Sequence, residues 1–494
     1  MFCRGFGQSV CATRARRGTL GSALALAAAV LIVAGCGSSA ATPSPVGSQT
    51  AAATPSQSPV PSVTPSPTPV PSPTAWPSGH AVAYDIVQGK AALAKPAADN
   101  GAASGSRIDA FAFDLLTRLD KNGNLCYSPT SIALAMAMVR AGARGTTATQ
   151  MDTVLRQLGA SGQEAQIVAL LQQLRGQTFY VDADGVPLDP GATPNPSQPN
   201  PIMQLTVANQ LFSQKGMSVE AAYLDALSST YGAGVGLLDF QNDPDSARLT
   251  INKWASDNTK GRIPDVLQPG DIRPATRIAL ANAIYLKANW AHKFDPSLTK
   301  PGQFTTSAGT KVTVPMMSIE DMYTYGAGAG YRAVEVPLER LSSLSMVFIV
   351  PDDMASFQTQ LTASKFASVV GSMKAYDVSF WLPKYSVESR FDLASLLAAM
   401  GMPDLFSPTA ADLSGITTDE KLFIDKVIHQ ANMDVDEEGV TAAAVTVAIG
   451  GAGAGEPPPH VDFKVDKPFL YFIRDSRSGT ILFMGRVNDP TAKS

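Results

Sequence analysis

The run DEEGVTAAAVTVAIGGAGAGEPPPHVDF, from Asp436 to Phe463, lies close to the end of a chain of 494 residues. Between Gly439 and Ala454 it contains no proline and no charged residue. Every backbone N–H in that stretch is therefore available to a β-ladder, and no unpaired charge would be buried with it. Alternate side chains are small or β-branched on both faces of an extended segment. The first face carries Val440, Ala442, Ala444, Thr446 and Ala448, and the second carries Thr441, Ala443, Val445, Val447 and Ile449.

Two other interpretations of this run are a floppy surface linker and a permanent strand of the core. A linker would usually carry Ser, Pro or Lys, and a core strand would not carry so many alanines and glycines. The composition therefore favours a segment that is able to insert into the middle of a sheet. Pro457, Pro458 and Pro459 follow it as a stiff extended flank.

The overall composition is that of a soluble globular domain with additional segments. Hydrophobic residues make up 45% of the chain and charged residues 16%, and the formal net charge is −4. The chain is long enough to bury a large core, and it has no excess of basic charge for nucleic acid. We therefore expect no nucleic-acid partner.

The N-terminus is predicted to be a signal peptide covering residues 1–35. Four arginines precede an apolar run from Leu20 to Val33, which is too short to span a membrane in the mature protein. The sequence from Val33 to Cys36 is similar to the cleavage box of bacterial lipoproteins, and the alternative is an ordinary secretory signal with a chance cysteine. A lipid on Cys36 would anchor the secreted protein to the outer face of the cell membrane.

Cysteine use fits this interpretation. The chain has 4 cysteines, of which Cys3 and Cys11 leave with the signal peptide and Cys36 takes the lipid. Only Cys126 remains, so the mature domain can form no internal disulfide bond. Cys126 lies in an apolar run and is predicted to be a buried small hydrophobic residue rather than a reactive thiol.

Two further regions follow the signal peptide. Residues 36–104 are predicted to form a disordered stalk. From Gly37 to Pro77 the chain is almost all Pro, Ser, Thr, Ala and Val, a composition that cannot repay the entropy of ordering, whereas the pattern of residues 80–104 is ambiguous. Residues 105–494 are predicted to form one α+β domain, since helical and strand patterns are mixed without regular alternation. The segment Gly176–Pro201 is predicted to be a surface insertion.

A search for catalytic chemistry finds little. The chain has four histidines, His80, His292, His429 and His460, and no nucleophile elbow, zinc-protease, Cys-x-x-Cys or P-loop motif. The acidic cluster Asp434–Glu438 lacks the alternating oxygen ligands and the central glycine of a calcium loop. We therefore predict no enzymatic activity, no cofactor and no metal site.

Several separated blocks of the sequence resemble the serpin family, and the resemblance runs from about Ile108 to Pro490. The blocks occur in the family's order and are NLCYSPTSIALAMAMVRAGARGTTATQM, LTVANQLFSQKG, INKWASDNTKGRIPDVL, ALANAIYLKANWAHKF, VEVPL, MGMPDLFSPTAADLSGI, VIHQANMDVDEEG and KPFLYFIRDSRSGTILFMGRVNDP.

The resemblance implies a serpin fold with a large central mixed β-sheet, further sheets, a helical cap and an exposed reactive-centre loop. The loop would cover about residues 437–463. A target serine protease would attack it and form a covalent acyl complex, after which the cut loop would insert into the sheet and trap the protease. The protein would act as a monomer and supply no catalyst of its own.

The resemblance also implies the hinge from which the loop would insert. It comprises Glu437, Gly439, Val440, Thr441, Ala442, Ala443 and Ala444. Val440 stands where the family usually has Thr or Ser, which is a mild departure because valine is neutral and favours strands.

The position of the scissile bond stays open. Counting forward from the hinge gives Gly453–Ala454, whereas counting back from Lys467 gives a bond a few residues later in the proline run, so the loop is slightly long. We favour Ala452, Gly453 or Ala454. No Lys or Arg occurs from Gly439 to Phe463, which argues against a trypsin-like target and favours an elastase-like or subtilisin-like protease with a shallow pocket.

Five further residues match positions at which the family controls opening of the sheet. By resemblance, Ser128, Ser131, Asn282 and His429 form a polar cluster beneath the sheet, and Trp290 lies where the loop enters it. Opening a sheet requires interior groups that can exchange hydrogen bonds. In the family, the glutamate equivalent to Glu437 often pairs with a lysine in the strand before VPMM. Thr313 occupies that place here, with Lys311 two residues earlier, so the sequence leaves the partner of Glu437 open.

The sequence thus predicts a membrane-tethered serpin that inhibits a serine protease irreversibly. The alternatives are a serpin-fold carrier or chaperone that does not insert its loop, and a surface adhesion lipoprotein that uses the domain as a scaffold. Hinges of non-inhibitory members tend to carry charges or prolines, and this hinge carries neither from Gly439 to Ala454.

Overall fold

The computed structural model describes residues 80–119, 122–180, 201–440 and 458–492. The predicted signal peptide, Cys36, the stalk as far as residue 79, the hinge residues Thr441 to Ala444 and the bond candidates Ala452 to Ala454 lie outside the described residues.

The described helices are α1 (Ala102–Leu116), α2 (Pro129–Gly142), α3 (Gly145–Val154), α4 (Glu164–Arg175), α5 (Ala221–Tyr231), α6 (Pro244–Asn258), α7 (Met354–Gln360), α8 (Ala363–Ser372) and α9 (Ala394–Met400), with 3₁₀ turns at Pro296–Leu298 and Asp404–Phe406. Among the described residues, no helix is both long and apolar enough to cross a membrane.

The described strands are β1 (Asp85–Val87), β2 (Leu125–Tyr127), β3 (Phe179–Tyr180), β4 (Pro201–Gln214), β5 (Val235–Leu238), β6 (Ile278–Asn289), β7 (Lys300–Thr305), β8 (Lys311–Gly328), β9 (Tyr331–Pro337), β10 (Leu344–Pro351), β11 (Lys374–Pro383), β12 (Tyr385–Asp392), β13 (Ile428–Val435), β14 (Gly439–Val440), β15 (His460–Lys464), β16 (Phe469–Asp475) and β17 (Ile481–Val487).

These strands form two sheets within the described part of the chain. The first, here called the main sheet, has the order β1-β5-β4-β6-β14-β13-β12, with β3 paired to β4. It is mixed, because β4 and β5 run parallel while the other neighbours are antiparallel. The second sheet has the order β15-β11-β8-β9-β10-β16-β17-β2, with β7 paired to β8. The predicted α+β fold with a large central mixed sheet is confirmed.

The helix α2 illustrates how local sequence produces these elements. Ser128 caps its N-terminus, since the side chain accepts a hydrogen bond from the backbone N–H of Ser131 at 3.1 Å. Pro129 occupies the first turn, where its missing N–H costs nothing. The apolar run that follows is buried almost throughout. The helix therefore lies in the core against β6 and β17.

Cys126 in β2 is fully buried, as the sequence predicts. Burial raises the pKa of its thiol to about 12, so the thiolate is not formed at neutral pH. The hydrogen bond from Tyr471 lowers that pKa only in part. The interpretation of Cys126 as an unreactive core residue agrees with this environment.

The prediction of a disordered stalk is wrong for residues 80–104. Strand β1 pairs antiparallel with β5 at the edge of the main sheet, with Asp85 opposite Leu237. The backbone N–H groups of Lys90 and Ala91 donate to Asp225 Oδ1 at 2.6 and 3.0 Å. The segment is ordered by partners more than a hundred positions away, which its own composition does not reveal.

Candidate functional site at the hinge and beneath the main sheet

The hinge, described from Asp436 to Val440, lies between two strands of the main sheet. Gly439 pairs with Asn289, and Val440 pairs with Ala288 of β6 and with Val435 of β13. Both pairings are antiparallel, so β6 and β13 run parallel to each other with β14 between them. Val440, the last described residue before the loop, therefore lies inside the main sheet, between β6 and β13.

Gly439 is required at this point by both conformation and space. Its φ of 147° lies in the region that residues with a side chain rarely adopt. A Cβ atom would also lie 2.2 Å from the carbonyl oxygen of Ala288 and 2.6 Å from the Cα of Asn289. Only glycine lets the hinge approach β6 this closely, which gives a physical reason for the hinge assignment of this residue.

Two ion pairs fix the acidic side of the hinge. Glu437 accepts hydrogen bonds from Lys384 Nζ at 2.5 Å and from Thr299 Oγ1 at 2.8 Å. Glu438 pairs with Lys293 at 2.7 Å. The lysine partner of Glu437, which the sequence leaves open, is therefore Lys384 at the junction of β11 and β12.

The neighbours of Lys311 and Thr313 differ from those of the hinge. Both residues lie in β8, where Lys311 is opposite Thr305 and the Thr313 hydroxyl accepts from Gln303 Nε2 at 2.9 Å. The cation that pairs with Glu437 is thus Lys384, whereas the family resemblance points to the strand before VPMM.

The environment of Glu437 favours its ionised form. Burial alone raises the pKa of this carboxyl. The hydrogen bonds from Lys384, from its own backbone and from Thr299, together with the charge of Lys384, outweigh burial and bring the pKa below its ordinary value. Glu437 is a stable anchor for the hinge at neutral pH.

Trp290 covers the place where the loop enters the sheet. Its indole Nε1–H donates to the carbonyl of Asp436 at 2.8 Å, and its backbone N–H donates to the carbonyl of Glu438 at 3.0 Å. The ring is buried and packs against Phe294 and Phe348. The structure therefore places Trp290 at the hinge, where the resemblance implies it.

The other four residues that the resemblance assigns to sheet opening meet below the sheet and form a connected polar cluster. The backbone N–H of Ser128 donates to His429 Nε2 at 3.1 Å, and the Ser131 hydroxyl donates to Asn282 Oδ1. Asn282 Nδ2 in turn donates to the Ser131 carbonyl at 2.9 Å and to Asn209 Oδ1. The Ser128 hydroxyl donates to the Leu482 carbonyl at 2.6 Å. The cluster therefore joins α2 to β4, β6, β13 and β17.

His429 is neutral in this environment. Its side chain is buried, and burial lowers its pKa from 6.5 to about 4. A neutral imidazole can accept the hydrogen bond from the Ser128 N–H at Nε2, whereas a protonated ring cannot. The acceptor role of His429 is thus tied to its protonation state.

If β14 were extended beyond Val440, one residue of the longer strand would lie beside the polar cluster. Asn282 lies six residues before Ala288, and His429 lies six residues before Val435, which are the two partners of Val440. Because side chains alternate in a strand, Asn282 and His429 share the core face with Val440. A strand that continued in this register would bring Thr446 to the level of both side chains.

The loop returns to the described part of the chain at Pro458. Pro459 accepts a hydrogen bond at its carbonyl from the Asp377 N–H at 3.1 Å, and β15 then runs parallel to β11. The segment between Val440 and Pro458 holds the bond candidates. Both ends of the predicted loop are therefore tied to strands, the N-terminal end to the main sheet and the C-terminal end to the second sheet.

Sequence reasoning missed four polar residues of this site: Asn209, Lys293, Thr299 and Lys384. Asn209 carries the one available signal, since it is a polar residue on the core face of an otherwise apolar strand pattern. The other three are single charged or hydroxyl residues in segments between strands. No local pattern distinguishes them from ordinary surface residues.

The mixed main sheet, the two-residue strand β14 within it and the polar cluster below it agree with the serpin fold that the sequence resemblance implies. Residues 106–490 match the profile of the family described as Serpin (serine protease inhibitor). The chain belongs to the serpin family.

Known relatives agree with this assignment. The human leukocyte elastase inhibitor is 34% identical over 394 residues, which cover 77% of this chain and 97% of that protein. The native structure of the thermophilic serpin tengpin matches with a TM-score of 0.69 at 24% identity and covers 83% of this chain and all of that one. Human thyroxine-binding globulin complexed with thyroxine matches with a TM-score of 0.65 at 25% identity, over 80% of this chain and 100% of that one.

Proposed function

We propose that this protein inhibits a serine protease irreversibly by acting as a suicide substrate. The observation that carries the proposal is the position of β14 between β6 and β13. The hinge is set at the start of a strand position, and the sequence that follows it is neutral and free of proline as far as Ala454. After cleavage, the N-terminal part of the loop is expected to extend β14 and become a full strand.

The energy of insertion supports trapping. Continuing the register of β14 to the start of β6 would pair about ten further residues, and each backbone hydrogen bond contributes on the order of 1 kcal/mol net. The gain is therefore comparable to the whole free energy of unfolding of a typical domain. Insertion of this kind is strong enough to displace a protease that is still attached to the loop.

The chemistry belongs to the protease. Its serine attacks the carbonyl carbon of the scissile bond, the amine on the C-terminal side leaves, and an ester joins the protease to the N-terminal part of the loop. Insertion pulls this ester away from the groups that stabilise the next tetrahedral intermediate. Loss of one oxyanion donor alone slows such a step by about 10²–10³. The acyl complex therefore outlasts normal turnover.

The target is proposed to be a protease with a shallow specificity pocket, elastase-like or subtilisin-like. Ala452, Gly453 and Ala454 are the favoured positions for the bond, and the loop offers no Lys or Arg to a trypsin-like enzyme. Several of the relatives are leukocyte elastase inhibitors, which is consistent with this choice.

A carrier function is the main alternative, because thyroxine-binding globulin is among the structural neighbours. The neutral, proline-free sequence after the hinge favours inhibition over this alternative. A scaffold for surface adhesion would explain the stalk but gives no reason for the hinge geometry around Gly439.

Inhibition is tested by incubating the mature protein with pancreatic elastase, with subtilisin and, as a control, with trypsin, followed by denaturing gel electrophoresis. We expect a stable band at the combined mass of inhibitor and protease with elastase or subtilisin, and none with trypsin. Clean cleavage between Val440 and Pro458 by both proteases without an adduct would contradict inhibition and support the carrier or scaffold.

We also propose that Cys36 carries a lipid that tethers the protein to the outer face of the membrane. The proposal rests on the apolar signal and its cleavage box. Mass spectrometry of the protein extracted from membranes is expected to show an acylated N-terminal Cys36. The Cys36→Ser variant is expected in the soluble secreted fraction, and its retention on membranes to the same extent as the wild type would contradict the tether.

A further inference from the structure

A group of metal-ligating side chains lies on one face of the second sheet, away from the hinge and the polar cluster. It occurs where the adjacent strands β15, β11 and β8 meet. His460 is the direct register partner of Asp377 in the parallel β15–β11 pair, and Asp377 is opposite Met322 in β8. Glu320 lies two residues from Met322, so it projects from the same face. Three neighbouring strands thus each contribute one donor.

The donor atoms are close enough to share an ion. One ligand atom from each of Glu320, Asp377 and His460 lies within 4.8 Å of the other two. His460 Nδ1 is 2.9 Å from Asp377 Oδ2. Ligands held at about 2.1 Å in a tetrahedral site lie roughly 3.4 Å from one another, so only small side-chain movements would be required.

The local charge also favours a cation. Asp462 lies on the same face as His460, with its Oδ1 3.5 Å from His460 Nε2, and adds a third carboxylate to those of Glu320 and Asp377. Lys464 approaches Asp462 at 4.0 Å and balances one of the three. When His460 is neutral, Glu320 and Asp377 have no ion pair with another residue of the described part of the chain.

We propose that Glu320, Asp377 and His460 bind a divalent transition-metal ion of the zinc type. An imidazole with two carboxylates suits zinc, nickel or copper, whereas magnesium and calcium prefer oxygen ligands alone. Three protein ligands leave a coordination position for water. The site is independent of loop insertion, since all three ligands lie in the second sheet.

The position of the site gives it a structural consequence. His460 is the first residue of β15, directly after the C-terminal end of the predicted loop, and β15 is the edge strand of its sheet. An ion held by His460, Asp377 and Glu320 would tie this edge strand to β11 and β8. It would fix the C-terminal end of the loop without touching the hinge.

The proton is the natural competitor of the metal. The hydrogen bond to Asp377 raises the pKa of His460 and outweighs the opposing effect of desolvation. Metal binding requires the neutral ring, so binding is expected to weaken as the pH falls.

Zinc binding by the mature protein, free of any histidine tag, is measured by competition with a chromogenic chelator and by metal analysis after gel filtration. We expect one equivalent of zinc per chain. The variants His460→Ala and Asp377→Asn are expected to bind at least about tenfold more weakly.

The matched control is His292→Ala. His292 is also exposed and also contacts an aspartate, Asp321, but no third donor joins that pair among the described residues. This variant is expected to bind zinc as the wild type does. Absence of stoichiometric zinc in the wild type, or loss of binding in His292→Ala with retention in His460→Ala, would overturn the proposal. Melting curves without metal show whether each variant is folded, and Glu320→Gln serves in place of any that is not.

Discussion

The two glutamates of the hinge are held by lysines that come from two separate segments between strands. Glu437 is largely buried and is neutralised by Lys384, while the neighbouring Glu438 is neutralised by Lys293. A buried carboxylate that loses its cation keeps the cost of desolvation without the compensating attraction. These pairs are therefore more sensitive to substitution than exposed ion pairs of the same length.

The variant Lys384→Met is expected to lower the free energy of unfolding of the intact protein by about 1–3 kcal/mol, because it removes the charged partner of Glu437. Chemical denaturation measures this loss. The pKa of Glu437 is below its ordinary value, so the contribution of the pair is present above about pH 4.3 and disappears as the pH falls through the pKa of the folded state. Lys311→Met is the matched control and should change little, since Lys311 is exposed.

A loss in Lys311→Met equal to that in Lys384→Met would contradict the assignment of Lys384 as the partner. The assignment would also be contradicted if the difference in free energy of unfolding between wild type and Lys384→Met persisted unchanged at pH values well below the ordinary pKa of glutamate.

His429 makes the stability of the protein depend on pH through the polar cluster. Its pKa is lowered to about 4 by burial, whereas the unfolded chain binds the proton near pH 6.5. The stabilisation from the neutral ring is complete above pH 6.5 and is lost as the pH falls towards 4, by up to about 3 kcal/mol. His429→Gln retains an acceptor for the Ser128 N–H but does not titrate.

The difference in free energy of unfolding between wild type and His429→Gln is therefore expected to change between pH 6.5 and 4, with the wild type losing more. A difference that is constant over this range would show that His429 is not held in its neutral form.

At the scale of elements, the decisive feature is the strand position between β6 and β13. Extension of β14 in its observed register would bring Thr446 to the level of Asn282 and His429 on the core face. A threonine hydroxyl can exchange hydrogen bonds with both groups. A charged side chain at the same point would be buried without a partner at a cost of several kcal/mol.

The variant Thr446→Glu is therefore expected to be cleaved by elastase or subtilisin without forming the stable adduct, because the cut loop fails to insert past the cluster. Thr446→Ser preserves the hydroxyl and should form the adduct as the wild type does. The ratio of adduct to cleaved inhibitor on a denaturing gel measures both. An undiminished yield of adduct from Thr446→Glu would be incompatible with insertion in this register.

Elements with strong local patterns were predictable from the sequence. The helical spacing of Phe111, Leu115 and Leu119 predicts a helix, and α1 contains the first two but ends at Leu116; all three side chains are buried. The apolar runs of β10, β16 and β17 likewise correspond to strands with nearly complete burial. In these elements, the pattern of apolar residues within a single segment is enough to indicate which side chains are buried.

Elements and contacts that depend on distant partners were not predictable in the same way. Strand β1 is held by β5, and the backbone that follows it at Lys90 and Ala91 is held by Asp225, although three residues of strand pattern alone do not indicate either partner. Lys384 and Glu437 are 53 positions apart, and neither residue alone indicates the other. The polar cluster was identified because family resemblance, rather than periodicity, connected residues of separate elements. Asn209 completes the cluster from β4, where a polar residue on the core face of an otherwise apolar strand is the only local signal.

For the molecule as a whole, the intact protein is expected to be trapped above its lowest free energy. In the main sheet, the two-residue strand β14 lies between much longer neighbours, and the chain that follows Val440 is chemically suited to lengthen it. Cleavage removes the tether to β15 that holds the other end of the loop. The cut protein should therefore relax to a more stable form without any change in its composition other than one hydrolysed bond.

The melting temperature of the protein before and after a single cut between Val440 and Pro458 tests this directly. Completion of the inserted strand is worth roughly 10 kcal/mol, so the cut wild type should melt roughly 20 °C or more above the intact form. The cut Thr446→Glu variant should gain much less. A cut wild type that melts at or below the temperature of the intact protein would contradict a metastable native state and, with it, inhibition by loop insertion.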